Sequence, residues 1–330
     1  EGHRWTPWIV LPMMGHDGDQ TRPGDRRPCD AGRTLQTYSA KTRLQIAKSM
    51  PARRNPRAMT VLPPHDWSDI RLSELDRTKA RDWIAVLPLA ATEQHGPHLP
   101  FETDTLIAQA YLARVRAILP KNLPVTFLPI EPVGISTEHV AYPGTQTLAT
   151  DVALRKWMAI GDTVAHAGLR KLVIVTSHGG NSAAMALIAQ DLRAKHEMLA
   201  VSTSWSRFGA PDGLFSADEL RFGIHGGAVE TSIMLAAFPD QVRKARIANF
   251  ESAEKQMTQE FRWLSAGRPA PFAWAMQDLN PLGAVGDARS ATADKGEALI
   301  AHGARAFVEL LQDVRKFDLS RLTHQPHILP

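Results

Sequence analysis

Apolar residues fall in two rhythms along this chain. Three short runs are almost unbroken, Ile84–Pro88 (IAVLP), Val125–Pro129 and Lys171–Thr176 (KLVIVT), and Leu199–Ser204 reads as a fourth strand. Runs of four to eight such residues predict strands buried on both faces. Between them the spacing is helical. Thr103–Leu119 places Leu106, Ala110, Leu112, Val115 and Ile118 at helical intervals and stops at Pro120. Thr147–Gly168, Ser182–His196 and Ala228–Phe238 predict further helices, and Asp294–Arg315 a long amphipathic one. Strands alternating with helices predict an α/β fold, with a mostly parallel sheet covered on both faces. Such sheets bind ligands at the carboxyl ends of their strands. The segments richest in chemistry follow directly on the predicted strands.

Residues 1–58 break this pattern. They carry Arg-Pro-Gly and Arg-Arg-Asn-Pro clusters and weak apolar periodicity, apart from a short stretch near Thr34–Met50 that could form a helix. They read as a disordered or non-native N-terminal extension, with Met59 a candidate start; a genuine, variable extension is the alternative. Residues 59–330 read as a single domain.

Charge sharpens that division. The formal net charge is +4, but residues 1–58 hold eleven Lys or Arg against five Asp or Glu, and the remainder 27 against 29. The basic excess belongs to the extension, so no nucleic-acid partner is expected of the folded body. The single cysteine, Cys29, also lies in the extension, which leaves no internal disulfide and no thiolate metal site. No run of about eighteen apolar residues is present and no signal-peptide pattern opens the chain, so no membrane partner and a cytoplasmic location are expected.

Three polar clusters carry the candidate chemistry. The first runs from Thr92 to Asp104 as TEQHGPHLPFETD. Glu93 and His95 are two apart, so they share a face of an extended segment. Asp104, near the start of the next helix, could fold back beside them. Carboxylates with an imidazole are ordinary ligands for zinc, manganese or iron, although a polar loop with a capping Asp would look the same. The second cluster is Ser177-His178-Gly179-Gly180-Asn181, at the end of KLVIVT, with Asn181 placed to cap the helix that follows. The third is His225-Gly226-Gly227-Ala228-Val229-Glu230. Its Glu230 could be an acid/base, a metal ligand or a residue complementing a helix dipole. A loop from Gly134 to His139, followed by Tyr142-Pro143-Gly144-Thr145, reads as facing substrate or as a connection. No Gly-x-Ser-x-Gly elbow, P-loop, Gly-x-Gly-x-x-Gly or His-Glu-x-x-His is present.

Taken in order, these segments resemble the creatininase (creatinine amidohydrolase) family from about Leu62 to Leu311. The most specific piece is Glu93-x-His95-Gly96-Pro97-His98-x-Pro100 followed by Thr103-Asp104. The Tyr142–Thr145, Ser177–Asn181 and His225–Ser232 segments and the Gly286–Glu297 stretch follow in the family's order. The resemblance implies a three-layer α/β/α sandwich on a mainly parallel sheet. It also implies two divalent ions per subunit, zinc first with manganese or iron as alternatives. Glu93, His95, Asp104 and His178 match the ligands, with Asp104 bridging. Gly179 and Gly180 stand where creatininase has a Tyr and a metal-binding Glu, so Glu230 is the residue assigned to supply the missing ligand. A pocket Trp of creatininase is replaced within Arg221-Phe222-Gly223, whereas Trp205 matches a second one. Creatinine itself is therefore not the expected substrate.

The implied function is hydrolysis of a C–N bond in a small cyclic amide or formamide by metal-activated hydroxide. His225 and Glu230 are the candidates for proton transfer. Ser136, His139 and Trp205 are the candidates to hold substrate, and His98 is expected to orient a ligand from behind. Family members also include a formamide deformylase and a peptide-trimming enzyme. The alternatives are accordingly a peptidase-like member acting on a short peptide, or a non-catalytic ligand-binding homologue. A homo-oligomer is expected, a hexamer by the resemblance.

Overall fold

The structure is a computed structural model and describes residues 61–322; the readings of residues 1–58 lie outside that range. Four parallel strands form the central sheet: β1 (Ile84–Leu89), β2 (Val125–Phe127), β3 (Lys171–Thr176) and β4 (Leu199–Ser204), in the order β2-β1-β3-β4. Successive side chains of a strand point to opposite faces. Ile84, Val86, Val173 and Val175 accordingly join one core, while Ala85, Leu87, Leu89, Leu172 and Ile174 join the other. For β1 and β3 both faces are covered, which is why they read as apolar runs; β4, at the edge of the sheet, is mostly half-buried and ends in polar residues.

The helices sort onto the two faces. Helix α1 (Thr103–Ile118) lies with α5 (Ala228–Ala237) and α8 (Ala293–Lys316) on one side; α2 (Thr150–His166) and α3 (Ser182–His196) pack together on the other. In α8 the buried Ile300, Ala304, Phe307, Val308, Leu311 and Val314 repeat every three or four residues and meet the sheet as one stripe. The result is the expected three-layer α/β/α sandwich. Short elements cover the site end: α4 (Ala217–Phe222), α6 (Glu254–Glu260), α7 (Met276–Leu279), the antiparallel pair β5 (Asn249–Phe250) and β8 (Gly286–Asp287), and the pair β6 (Leu264–Ser265) and β7 (Ala270–Pro271). No helix among the described residues is long and apolar enough to cross a membrane.

Two polar residues tie elements together. Lys171, at the buried start of β3, donates from Nζ to the carbonyls of Val314 (2.7 Å), Arg315 (3.1 Å) and Phe317 (3.0 Å), and so caps the C-terminal end of α8. Asn181 does not cap α3 as the sequence suggested. Its Oδ1 instead accepts from Ile135 N (3.0 Å), and its Nδ2 donates to Ala90 O (3.1 Å) and Thr176 Oγ1 (3.2 Å). Buried backbone groups of three converging loops outcompete the nearby helix terminus for this amide. Those loops form the site.

Candidate metal centre

Strand register sets the site. Leu89 of β1 and Thr176 of β3 are paired, so the chain leaves both strands side by side. Glu93 follows β1 by four residues and His178 follows β3 by two. Strand order runs outward in opposite directions from the β1–β3 pair, and the crevice at such a switch point is where open α/β sheets take ligands. Gly96, at φ 69°, turns the chain back after His95. Asp104 arrives as the second residue of α1 and Glu230 as the third of α5.

Glu93, His95, Asp104 and His178 are buried and Glu230 is half-buried, and their atoms converge. Glu93 Oε1 lies 3.1 Å from His178 Nδ1, 3.5 Å from His139 Nε2, 3.6 Å from His225 Nδ1 and 3.9 Å from His95 Nε2. Asp104 stands between two imidazoles, with Oδ1 3.7 Å from His95 Nε2 and Oδ2 3.7 Å from His178 Nδ1. Glu230 Oε2 is 3.8 Å from His95 Nε2 and accepts a hydrogen bond from Gly226 N at 2.7 Å. Three sets of donors each fall within reach of a single ion: His95, Asp104 and Glu230; Glu93, Glu138 and His178; and Glu93, His95 and His225.

The imidazole tautomers follow from fixed acceptors. His95 Nδ1 faces the Glu93 carbonyl (3.0 Å), His178 Nε2 the Ile135 carbonyl (2.7 Å) and His225 Nε2 the Gln94 carbonyl (2.6 Å). A carbonyl only accepts, so these nitrogens donate. The opposite nitrogens, His95 Nε2, His178 Nδ1 and His225 Nδ1, therefore turn lone pairs toward the carboxylates whenever the rings are neutral. His139 is the reverse. Gly96 N donates to Gln94 Oε1 (2.9 Å), which aims Gln94 Nε2 at His139 Nδ1 (2.8 Å). His139 therefore presents an N–H, not a lone pair, to Glu93.

Lone pairs facing carboxylates are unfavourable without a cation between them. Both oxygens of Glu93, Oδ2 of Asp104 and Nε2 of His95 are buried without a hydrogen-bond partner, a costly arrangement for polar atoms. The titration behaviour expresses the same demand. Burial lowers the His95 and His178 imidazoles, but the facing carboxylates outweigh it and raise them to about 9 and about 10. Burial raises Glu93, yet His178, His225 and His139 hold it well below its usual value. Burial pushes Glu230 up to about 7 and also raises Asp104. For His225 the balance goes the other way: burial, with His95 and His139 beside it, outweighs Glu93 and drives it well below its ordinary value. The donor set, oxygen and imidazole nitrogen with unsatisfied buried atoms, fits divalent cations.

The remaining expected residues divide by position. Trp205 borders a cavity of about 350 Å³ beside Glu230, together with Ile107, Tyr111, Ile224 and Val229. Ser136 and His139 are packed behind the ligand groups. Ser136 Oγ is 3.4 Å from His178 Nε2, and the His139 ring lies 4.2 Å from that of His225. His98 reaches Thr231 Oγ1 of α5 (2.9 Å), next to Glu230, and stacks on Phe250. Two residues of the site had no role assigned from the sequence. Gln94 orders two histidines through its backbone and its amide, and Glu138 Oε1 lies 3.6 Å from His178 Nε2. A Cβ on Gly180 would come within 2.8 Å of that Glu138 oxygen, so the two positions are complementary. Only their nearness in sequence to Glu93 and His139 hinted at either.

Comparison with known proteins points to one family, and the relatives are described with two activities. The creatininase family model, described as creatinine amidohydrolase, matches residues 68–311. A mycofactocin precursor peptide peptidase of Mycobacterium ulcerans is 32% identical over 245 residues, covering 70% of this chain and 83% of that protein. A creatinine amidohydrolase of Pseudomonas putida is 27% identical over 240 residues, covering 68% and 86%. A crystal structure of creatinine amidohydrolase (creatininase) superposes with a TM-score of 0.61 at 23% identity, over 76% of this chain and 97% of that one. Related creatininase structures are described as a manganese form and as a zinc–zinc form of a variant. With its fold, its ordered motifs and its buried carboxylate–imidazole cluster, this chain belongs to the creatininase family of amidohydrolases.

Proposed function

We propose that this protein hydrolyses an amide C–N bond with two divalent ions, zinc or manganese, held on either side of Asp104. The observation that carries this reading is the Asp104 carboxylate, whose two oxygens face two different imidazoles. Glu93, His178 and Asp104 Oδ2 would hold one ion; His95, Glu230 and Asp104 Oδ1 would hold the other. Bound there, such ions lower the pKa of a water and polarise a substrate carbonyl. Iron suits the same donors; the described metal forms of the related creatininases favour zinc or manganese.

The protein's own groups supply the rest. His225 is neutral near pH 7, with its Nε2 proton held on the Gln94 carbonyl. Its Nδ1 is the base that takes a proton and returns it to the leaving nitrogen. Glu230, the other proton-transfer candidate, is committed to the second ion. Ser136 and His139 steady His178 and Glu93, and Trp205 forms the wall against which substrate rests. Water is limited in this crevice because nearly every group in it is buried, which strengthens each charge interaction.

For the substrate we propose a compact amide bearing an apolar group. The cavity is small for a ligand site, and its border is mostly aliphatic and aromatic. A cyclic amide or a formamide meets that description. The second reading is the end of a short peptide. It is favoured by the peptidase descriptions of the relatives at 31–32% identity, and by open space where a side chain at Gly179 would stand. Turnover of cyclic amides, N-formyl compounds and short peptides by metal-loaded protein separates the two. Hydrolysis of none of them, with ions bound, would leave a non-catalytic ligand-binding role in its place. A homo-oligomer, a hexamer by the family resemblance, and a cytoplasmic location complete the proposal; light scattering tests the first.

A further inference from the structure

The most unusual buried charge outside the metal centre is Glu219 in α4. It is 6% exposed, and no salt bridge among the described residues neutralises it. Its two oxygens instead accept from backbone: Oε1 from Ala228 N at 2.5 Å, and Oε2 from Asp287 N at 2.8 Å. Three glycines from three segments close around it. A Cβ at Gly223, Gly227 or Gly286 would lie 2.2, 2.4 or 2.7 Å from Oε1. Any side chain at those positions would displace the carboxylate, so the surrounding backbone is shaped to this one group.

What the carboxylate holds is the frame of the site. Ala228 is the first residue of α5, and the N-cap residue Gly227 supplies no side-chain cap. Glu219 therefore satisfies from outside one of the amides that a helix leaves unpaired at its N-terminus. Asp287 belongs to β8, and Val285 just before it donates to the carbonyl of His225 at 2.8 Å. The carboxylate thus ties the first turn of α5 to β8, whose neighbour Val285 pairs with His225. Among the described residues no hydrogen bond or ion pair joins Glu219 to a metal-ligating side chain, although it borders the same cavity as Glu230.

We propose that Glu219 is a positioning residue that fixes the first turn of α5, so that Glu230 completes the second ion site beside His95 and Asp104. The inference rests on the two-ion reading above. Glutamine keeps the shape of Glu219 but sets an N–H₂ group against one of the two backbone donors. The register of that turn then loosens while the Glu93–His178 side, on other loops, is left alone.

The test is the number and affinity of zinc ions bound by titration to metal-free wild type, Glu219→Gln, Glu230→Gln and the double variant, with a thermal melt of each metal-free protein. The expected result is two ions in wild type. In each single variant one ion binds as in wild type and the other at least ten-fold more weakly. In the double variant no further ion is lost, because both changes act on one site. If Glu219→Gln binds both ions as wild type does, the inference is overturned. It is equally overturned if that variant loses both ions together, or if the double variant loses the ion that each single retains; a general destabilisation would behave in those ways. Should Glu219→Gln show no cooperative melt, Glu219→Asp, which keeps the charge and retracts it, is expected to weaken one ion at least ten-fold; unchanged binding of both would overturn the proposal. Wild type that binds no zinc would instead overturn the two-ion reading itself, and this inference with it.

Discussion

Replacing His225 with Gln keeps a polar side chain of similar length but removes the base. If His225 moves the proton, His225→Gln lowers kcat by about 10²- to 10⁴-fold and leaves the ion content unchanged. Steady-state kinetics with elemental analysis on one preparation checks both halves. A second prediction concerns charge. In the metal-free protein His95 and His178 are raised to about 9 and about 10, above an unfolded value of about 6.5. Their contribution to stability is therefore complete below about pH 6.5 and is lost as pH rises through 9 and 10. His225 and His139, pushed down, are already neutral there. The melting temperature of metal-free protein should fall between pH 8 and 10, and metal-loaded protein should resist that fall, since ions replace the two protons. At this scale the nearness of Glu93, His95, Asp104, His178 and Glu230 was anticipated by polar clusters after β1 and β3 and, for Glu230, by the family resemblance. Gln94 and Glu138 were not, because an uncharged amide and a loop carboxylate gain meaning only once Ile135, His178 and His225 are brought beside them.

Among the elements, β3 and α8 depend on one buried cation. Lys171 is lowered by burial and spends its three donors on the last carbonyls of α8. Lys171→Met keeps the stem and deletes the donors. It is expected to cost about 1.5–3 kcal/mol, the worth of hydrogen bonds to a charged group, read as a lower denaturation midpoint with an unchanged slope. The four strands of the central sheet and the five long helices were legible because burial, on a strand face or a helix stripe, writes a period into the sequence. The boundaries differ by a few residues at most; α2, for instance, starts at Thr150 rather than Thr147. Helices α4, α6 and α7 and the two-residue strands had no such period. They are too short to bury a face of their own and are held by particular contacts, such as Glu219 on Asp287 N and His98 on Phe250.

At the scale of the molecule, the parallel sheet brings together residues far apart in the chain. Glu93 and Asp104 follow β1, His178 follows β3 and Glu230 comes after β4, and the β1–β3 pair sets the first three face to face. The sandwich was legible because alternation of strand and helix constrains topology strongly. Of the cavity only Trp205 was singled out in the sequence, through the family resemblance; Ile107, Ile224 and Val229 were not, since none is unusual alone. A cluster of buried carboxylates and imidazoles at this crevice is costly unless cations complete it, so ion content is the most direct measurement. Elemental analysis of wild type and Asp104→Ala, prepared side by side in metal-replete medium, is expected to give about two divalent ions per chain in wild type and few in the variant. Wild type without divalent ions, or Asp104→Ala retaining both ions and its activity, would contradict the account.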